Sequence, residues 1–380
     1  MGLSSRRASH VLLAAAIAYW ANSLEQRQLL RSAEAPTEKH RTAETSTEQQ
    51  LDEVPIIDLA CTACDLVAEV DAALLRYGFF YVRNHSVHEE AIAGQFEQSR
   101  LLFDLPDEVK RGLAFNASLD IGYTGGSGTS QALDPTKPAA ADTKEGFMLT
   151  NNGVMLGAPV ADADPLAGAT LLWPPGLDEY QAKIRRYFAQ AYALNRRLNA
   201  MLFAALRLDE AERERVGSAP FCVLKQLRYS PAASHDGRAS GAAADGLGAG
   251  AHADWGAFTV LATDGTPGLQ VELDGMWLPV PPKDGCLIVN AGDQIEMLTN
   301  GHYRSAKHRV VVAPNASAPR FSAAFFTYFN YHATITPLTH LTPDEPSPRW
   351  PPMDTHDWFQ YKLRQSVGEN IAKPGVLSGE

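Results

Sequence analysis

The chain has 380 residues, of which 45% are apolar, enough to bury a sizeable core in one large domain or two ordinary ones. Its 33 basic and 44 acidic residues give a formal net charge of −11, so no basic excess is available for nucleic-acid phosphates or an acidic membrane surface. Composition therefore favours a globular protein that acts on small molecules, and we expect no nucleic-acid partner.

The amino terminus has the composition of a targeting segment. Arg6 and Arg7 precede the apolar run 11–21, and the first acidic residue is Glu25. This run is too short to span a bilayer, which takes about 20 residues, so no stable membrane span is expected. Residues 1–25 fit a signal peptide, an organelle transit segment or an apolar helix, which leaves the location in the cell open. Residues 26–52 are polar and predict a linker.

Hydrophobic patterning predicts that the folded part begins at residue 53. Short β-type runs lie at 54–58 and 78–82, and helices are predicted over 65–77 and 87–103. A long helix predicted over about 177–207 carries apolar residues at steps of three or four, which form one stripe that can pack on a sheet. The stripe consists of Ile184, Phe188, Ala191, Leu194, Leu198, Leu202 and Leu206.

From residue 222 onward, short strands separated by Gly and Pro predict a sandwich or barrel. The strands are predicted at 222–229, 257–262, 268–273, 277–280, 285–289, 308–313 and 320–329. The stretch between Tyr229 and His252 is rich in small residues and predicts a mobile surface loop. A last amphipathic helix is predicted over 355–367.

The four cysteines are too few and too scattered for a disulfide scaffold. Cys61 and Cys64 have the spacing of zinc-binding or redox pairs, but no second pair follows and no redox-type βαβ context surrounds them. We therefore expect ordinary reduced cysteines at these positions and at Cys222 and Cys286.

His252 and Asp254 are candidate metal ligands, because side chains at i and i+2 of an extended segment point to the same face. One His-x-Asp pair is weak evidence in a chain with 11 histidines. His308 begins another β-rich run 54 residues beyond Asp254 and completes a set of two imidazoles and one carboxylate. Such a set leaves coordination positions open and suits Fe(II) that must bind a chelating co-substrate and dioxygen. A structural zinc would instead be closed by four ligands.

The segments around these ligands resemble the isopenicillin N synthase-like family of 2-oxoglutarate- and Fe(II)-dependent dioxygenases. The resemblance covers about 54–350 and rests on 54–58, 77–82, 250–256, 268–271, 277–282, 289–293, 299–305 and 308–310. It implies a mainly β fold with flanking helices (α+β), in which a double-stranded β-helix, or jelly-roll, core at 221–350 is backed by the long helix. A helical and β region at 53–220 would precede this core, and a carboxy-terminal helix and tail at 351–380 would follow. The resemblance also implies a cytoplasmic location, and we expect a monomer.

Arg320 and Ser322 share one face of a predicted strand, where a guanidinium and a hydroxyl can bind a carboxylate together. The pair matches the Arg-x-Ser motif of the family, which implies that it holds the distal carboxylate of 2-oxoglutarate, with Tyr229 as a third contact. Family members often carry Asn two residues before that tyrosine, where this chain has Leu227. This departure puts the finer details of plant-type co-substrate contacts in doubt.

The resemblance implies that the chain uses Fe(II), 2-oxoglutarate and O2 to oxidise a C–H bond of a small organic substrate, by default through hydroxylation, with release of succinate and CO2. The alternatives are an Fe(II) oxidase of the same fold that does not use 2-oxoglutarate, a metal hydrolase and a non-catalytic binding protein. Phe326 and Phe147 are candidates for the substrate pocket or else core aromatics. Asn290 and Asp293 are candidates to support the metal ligands or to form a turn.

Overall fold

The computed structural model describes residues 53–115, 121–125, 144–151, 173–231, 247–313 and 316–366. The predicted targeting segment and linker lie outside these residues, as does most of the stretch predicted as a mobile loop. The part of the chain from Asp52 to Glu380 forms one compact unit. None of the described helices is long and apolar enough to cross a membrane.

The described helices are α1 Leu66–Arg76, α2 Glu89–Phe103, α3 Asp107–Gly112, α4 Tyr180–Ala205, α5 Glu210–Gly217, α6 Asp293–Leu298 and α7 Thr355–Ser366. The helices predicted over 65–77, 87–103, 177–207 and 355–367 are confirmed to within a few residues. Helix α1 begins after Asp65, whose carboxylate accepts a hydrogen bond from the backbone N–H of Ala68 at 3.1 Å. An acceptor at this position satisfies one of the amide groups that a helix leaves unpaired at its start.

The described strands are β1 Ile56–Asp58, β2 Phe79–Arg83, β3 Gly122–Thr124, β4 Lys144–Thr150, β5 Pro220–Tyr229, β6 Leu247–His252, β7 Phe258–Thr263, β8 Leu269–Leu273, β9 Met276–Pro279, β10 Cys286–Ala291, β11 His308–Val311, β12 Arg320–Asn330, β13 Thr334–Ile335 and β14 Met353–Asp354. An eight-stranded major sheet has the order β1-β2-β10-β7-β12-β5-β4-β3, and a four-stranded minor sheet has the order β6-β11-β8-β9. Strands from the region 53–220 and from the region 221–350 therefore share one sheet.

The position of strand β6 differs from the sequence prediction. It lies within the stretch predicted to be a surface loop, where the small residues suggest that no side chains pack against neighbouring elements. In the structure a Cβ atom on Gly248 would lie 2.9 Å from both the Tyr229 ring and the Val312 side chain. Small residues are thus required here because this strand approaches its neighbours closely.

The major sheet separates two hydrophobic layers. On its outer face it packs against α4, whose predicted apolar stripe is buried along its whole length, with the rings of Phe188 and Phe325 4.9 Å apart. On its inner face it meets the minor sheet through a second cluster that includes Leu227, Ile288 and Val310. These two facing sheets form the jelly-roll core, and the cavity described below opens between them.

Cys61 and Cys64 are joined by a disulfide, so the prediction of reduced cysteines at this pair is wrong. The turn that precedes α1 brings their Cα atoms to 5.5 Å, within the range that a disulfide bridges. The lack of a second cysteine pair argues only against a zinc site and does not bear on a local crosslink. Cys222 and Cys286 are free, as predicted.

Candidate metal centre

The three predicted metal ligands come together where two strands of the minor sheet pair. His252 is the last residue of β6, and His308 is the first residue of β11. The two histidines are direct partners in the antiparallel register of these strands. Asp254 lies two residues beyond the end of β6, just after the extended segment in which it is predicted. Strand pairing thus brings the distant histidine beside the local His-x-Asp pair.

The ligand atoms are spaced for a single ion. Asp254 Oδ1 lies 3.6 Å from His308 Nε2 and 4.0 Å from His252 Nε2. Two ligands that each lie about 2.1 Å from one ion are separated by no more than about 4.2 Å. Both carboxylate-to-imidazole distances are within that limit. One ligand atom from each ring and one carboxylate oxygen all lie within 4.8 Å of one another, so the three residues could hold one metal ion.

Hydrogen bonds to the backbone orient both imidazoles. His252 Nδ1 lies 2.7 Å from the carbonyl oxygen of Gly250, and His308 Nδ1 lies 3.1 Å from that of Ala306. A carbonyl oxygen can only accept, so Nδ1 carries the proton in each ring. Each Nε2 then presents its lone pair to the site, which is the tautomer that metal binding requires. Burial of His252, together with the neighbouring His308, lowers its pKa and keeps the ring neutral.

Two buried side chains hold the carboxylate of Asp254. Its Oδ2 accepts hydrogen bonds from Thr259 Oγ1 at 2.6 Å and from Asn290 Nδ2 at 2.7 Å, which leaves Oδ1 directed at the histidines. Burial raises the pKa of the Asp254 carboxyl, but the two imidazoles and these two hydrogen bonds outweigh burial, and the net pKa is lowered. The carboxylate is therefore ionised. Asn290, a candidate to support the ligands or to form a turn, is one of these two donors. Thr259 is not predicted because it belongs to none of the motifs.

Asp293 contacts the metal ligand Asp254 through its backbone. Its N–H donates to the carbonyl oxygen of Asp254 at 2.8 Å, and its carboxylate pairs with Lys362 Nζ at 3.1 Å. Burial raises the pKa of Asp293, an effect that Lys362 opposes. The preceding Gly292 is required by space, since a Cβ atom there would lie 2.4 Å from the carbonyl oxygen of Gly256. The predicted turn is thus the start of α6, and it fixes the loop that carries Asp254.

At another end of the same cavity lie Arg320, Ser322 and Tyr229. Arg320 is 3% exposed, its guanidinium carbon lies 5.1 Å from the centre of the Tyr229 ring, and its Nε donates to the carbonyl oxygen of Thr266 at 3.2 Å. Within the described residues, Arg320 Nη1 and Ser322 Oγ are buried without a hydrogen-bond partner. A buried polar group left unpaired costs about 1–3 kcal/mol. A bound carboxylate would satisfy both groups, so this end of the cavity fits the distal carboxylate of 2-oxoglutarate.

The two aromatic candidates for the substrate pocket differ in position. Phe326 lines the cavity, whereas Phe147 does not. Phe147 is fully buried, and its ring lies 6.3 Å from that of Tyr180 on the long helix. Successive side chains of a strand point to opposite faces, and in β4 it is Lys144 and Met148 that face the cavity. Phe147 is therefore a core aromatic, the second of its two alternatives, and does not belong to the substrate pocket.

Helix α7 supplies part of the cavity wall, a role that the sequence does not indicate. Its Phe359 and Leu363 line the cavity beside Trp255 and Tyr328. Trp358 Nε1 on the same helix donates to the carbonyl oxygen of Trp255 at 2.9 Å. The carboxy-terminal helix is thereby attached to the residue that follows the metal ligand Asp254.

Comparison with known proteins bears on this arrangement. Residues 221–328 match the model of the 2OG-Fe(II) oxygenase superfamily, and residues 54–174 match that of the non-haem dioxygenase in morphine synthesis N-terminal family. Azadirone synthase LFS from Melia azedarach is 31% identical over 321 residues, which cover 80% of this chain and 90% of that protein. A 2-oxoglutarate-Fe(II) type oxidoreductase from Aspergillus fumigatus is 30% identical over 80% of this chain and 88% of its own length. The chain belongs to the 2OG-Fe(II) oxygenase superfamily.

Solved structures of this superfamily share the fold. A full-length Neurospora crassa protein in complex with alpha-KG and thymine superposes with a TM-score of 0.68 at 21% identity, covering 82% of this chain and 97% of that one. JOX2 in complex with 2OG, Fe and JA gives a TM-score of 0.66 at 27% identity, covering 92% and 95% of the two chains. The jelly-roll prediction is confirmed. The oxygenase is an oxidoreductase that uses Fe(II), 2-oxoglutarate and dioxygen, and it contains the His-Asp-His triad for the metal.

Proposed function

We propose that this oxygenase hydroxylates a C–H bond of a small, largely apolar organic molecule, with release of succinate and CO2, in the cavity between its two sheets. One observation carries the assignment of roles to residues. The cavity that contains the His-Asp-His triad also contains the buried, unpartnered Arg320 Nη1 and Ser322 Oγ, which fit a carboxylate. A metal site and a carboxylate site in one cavity are what a chelating keto acid needs.

In this proposal His252, Asp254 and His308 hold Fe(II), which in the presence of 2-oxoglutarate supplies the activation of dioxygen for C–H oxidation. Arg320 and Ser322 bind the distal carboxylate of 2-oxoglutarate by charge-assisted hydrogen bonds. Stacking on Tyr229 fixes the plane of the guanidinium and thus the direction in which the carboxylate is held.

The remainder of the cavity is proposed to bind the substrate. Its empty space, including the open solvent at its mouth, is about 1070 Å³. Phe326, Trp255, Tyr328 and Phe359 give this part an aromatic wall. Such a wall excludes water from the reacting groups and contacts an apolar substrate. The thymine bound by the Neurospora crassa protein supports a small organic substrate as a class.

We further propose that the protein acts as a monomer and without nucleic acid, and that residues 1–25 are a removable targeting segment joined through the linker 26–52. The acidic balance of the chain supports the absence of a nucleic-acid partner. Light scattering of the purified protein tests the oligomeric state. An intact mass that lacks the first 25 or so residues would support processing, and a full-length mass would contradict it.

The proposal is tested by anaerobic reconstitution with Fe(II) and 2-oxoglutarate, followed by measurement of succinate after oxygen is admitted. Replacing Arg320→Leu should raise the KM for 2-oxoglutarate by about tenfold or more, the loss expected for a charge-assisted pair, while Fe(II) binding is retained. Arg309→Leu is the matched control, since Arg309 stacks on Trp277 and does not line the cavity. Iron-dependent turnover of O2 without succinate would instead identify an oxidase that does not use 2-oxoglutarate.

A further inference from the structure

We propose that Lys362 is a positioning residue for the metal centre, which acts by locking helix α7 onto the loop that carries the ligand Asp254. The inference rests on the role of Asp254 as a metal ligand and adds to the site a residue from the far end of the described chain. It starts from a partly buried ion pair that neither the triad nor the Arg-x-Ser pair uses.

The loop that follows strand β6 is held through its backbone carbonyl groups. The carbonyl oxygen of Asp254 accepts a hydrogen bond from the N–H of Asp293, the first residue of α6, at 2.8 Å. The next carbonyl oxygen, that of Trp255, accepts one from Trp358 Nε1 of α7 at 2.9 Å. Two elements, the start of α6 and helix α7, therefore determine where the backbone of this metal ligand lies.

Lys362 joins these two elements. Its Nζ lies 3.1 Å from Asp293 Oδ2, so α7 is tied to the residue whose N–H holds Asp254. The same Nζ lies 5.2 Å from the centre of the Trp358 ring and 5.9 Å from that of Trp255, within the range of cation–π attraction. The lysine side chain is 23% exposed and the aspartate side chain 15%, so solvent screens this ion pair only in part. One ammonium group thus reaches both connections of the loop.

Helix α7 places its contacts to the loop beside its contacts to the cavity. Trp358 and Lys362 are four residues apart, as are Phe359 and Leu363, so each pair forms one stripe along the helix. The first stripe meets the metal-ligand loop, and the second lines the cavity. Anchoring of the first stripe therefore also sets the position of the second.

A purely electrostatic effect of Lys362 would have the opposite sign. A cation near the triad repels a metal dication, so removal of its charge should strengthen metal binding. Loss of anchoring should weaken metal binding instead, because the backbone of Asp254 gains freedom and its carboxylate is held less well for the metal. The direction of the change in metal affinity therefore separates positioning from charge.

The test measures the Fe(II) affinity of the full chain anaerobically, by competition with a chelator and without 2-oxoglutarate. Lys362→Met should weaken Fe(II) binding about fivefold, less than the about 10- to 100-fold expected for a group that bonds a ligand side chain directly. Lys362→Arg keeps the pair with Asp293 and should bind Fe(II) within about twofold of the native chain. Arg364→Met is the matched control, since it removes the same charge from the exposed side of the same helix and should leave the affinity unchanged.

A double-mutant cycle assigns the effect to the ion pair. Lys362→Met leaves the carboxylate of Asp293 without its cation, which lowers the stability of the fold, whereas the double variant Asp293→Asn/Lys362→Met carries no stranded charge. Asp293→Asn, Lys362→Met and the double variant should weaken Fe(II) binding by a similar factor, because each removes the same pair. On the electrostatic alternative, Lys362→Met should strengthen binding and the double variant should leave it unchanged. A thermal melt identifies any variant that fails to fold, and the double variant still decides if Lys362→Met does.

The visible spectrum of bound Co(II) gives a readout that a change in fold stability alone does not move, because its ligand-field bands depend on the arrangement of the ligands. The bands of Co(II)-loaded Lys362→Met should shift from those of the native chain. The bands of Lys362→Arg and Arg364→Met should not shift.

The inference is overturned if Lys362→Met binds Fe(II) as tightly as the native chain or more tightly, if the losses in Asp293→Asn and Lys362→Met add in the double variant, or if the Co(II) bands of Lys362→Met are unchanged. None of these measurements needs 2-oxoglutarate or an organic substrate, so their outcome does not depend on the proposed reaction. Absence of succinate from the native protein loaded with Fe(II) and 2-oxoglutarate would refute the proposed function alone.

Discussion

Replacing Thr259→Val tests how the iron ligand Asp254 is held. Valine has nearly the shape of threonine, so the change removes the 2.6 Å hydrogen bond to Asp254 Oδ2 and leaves Asn290 as the donor to that oxygen. A hydrogen bond to a charged group contributes about 1.5–3 kcal/mol, and loss of such a support for a ligand weakens metal binding by about 10- to 100-fold. The carboxylate also becomes easier to protonate, since this hydrogen bond contributes to its lowered pKa.

The measurement is an anaerobic Fe(II) titration against a competing chelator at pH 7. Thr259→Ser keeps the hydroxyl and should restore most of the affinity. Thr263→Val on the same strand, about 13 Å further along, is the control for loss of a β7 hydroxyl. If Thr259→Val binds Fe(II) within about threefold of the native protein, orientation of Asp254 by this hydroxyl does not limit metal binding, and the role assigned to Thr259 is refuted.

Three other properties of the protein can be tested in the same way. Burial is the main cause that lowers the pKa of His252 from its ordinary value of 6.5 to about 3. Below pH 6.5 the unfolded chain therefore takes up a proton at His252 that the folded, metal-free chain does not. The free energy of unfolding should then fall by up to about 1.4 kcal/mol per pH unit as the pH is lowered from 6.5 to 5. Urea unfolding in the presence of EDTA measures this slope, and an unchanged slope in the His252→Asn variant would contradict the prediction. Phe326→Leu should change the KM for the organic substrate with little effect on the free energy of unfolding. Phe147→Leu should lower the free energy of unfolding by about 1–3 kcal/mol at unchanged KM. The opposite pattern would contradict the assignment of Phe326 to the cavity and Phe147 to the core. Alkylation of the denatured, unreduced chain should label two thiols, and four after reduction, if Cys61 and Cys64 are paired; four labels without reductant would show them reduced.

The metal ligands could be predicted because each lies in a recognisable local context. His252 and Asp254 are two residues apart, and His308 begins a β-rich run, so the ligand set can be proposed before any contact is known. The Arg-x-Ser pair is found in the same way, from alternation along one strand. In the structure these residues line one cavity, as that interpretation requires.

The residues that sequence patterns miss or leave undecided depend on strand pairing. Thr259 has ordinary neighbours in the sequence, and its position beside Asp254 follows from the register of β7 within the major sheet. The two alternatives for Phe147 stay open in the sequence because β4 is not predicted, and without the strand there is no basis for deciding which face its side chain takes. The strand β6 escapes prediction because a sequence rich in Gly and Ala resembles a loop until its close neighbours are known.

The order of the residues alone is enough to propose the three metal ligands and a sandwich or barrel, because periodicity and short motifs are properties of neighbouring residues. The family resemblance that those motifs carry implies the jelly-roll class and the carboxylate role of the Arg-x-Ser pair. The folded chain was needed to establish which groups hold Asp254, which aromatic residue faces the cavity and that α7 closes its wall. These features join residues from separate strands and helices, and their distances are set by sheet register and packing, which no local pattern specifies.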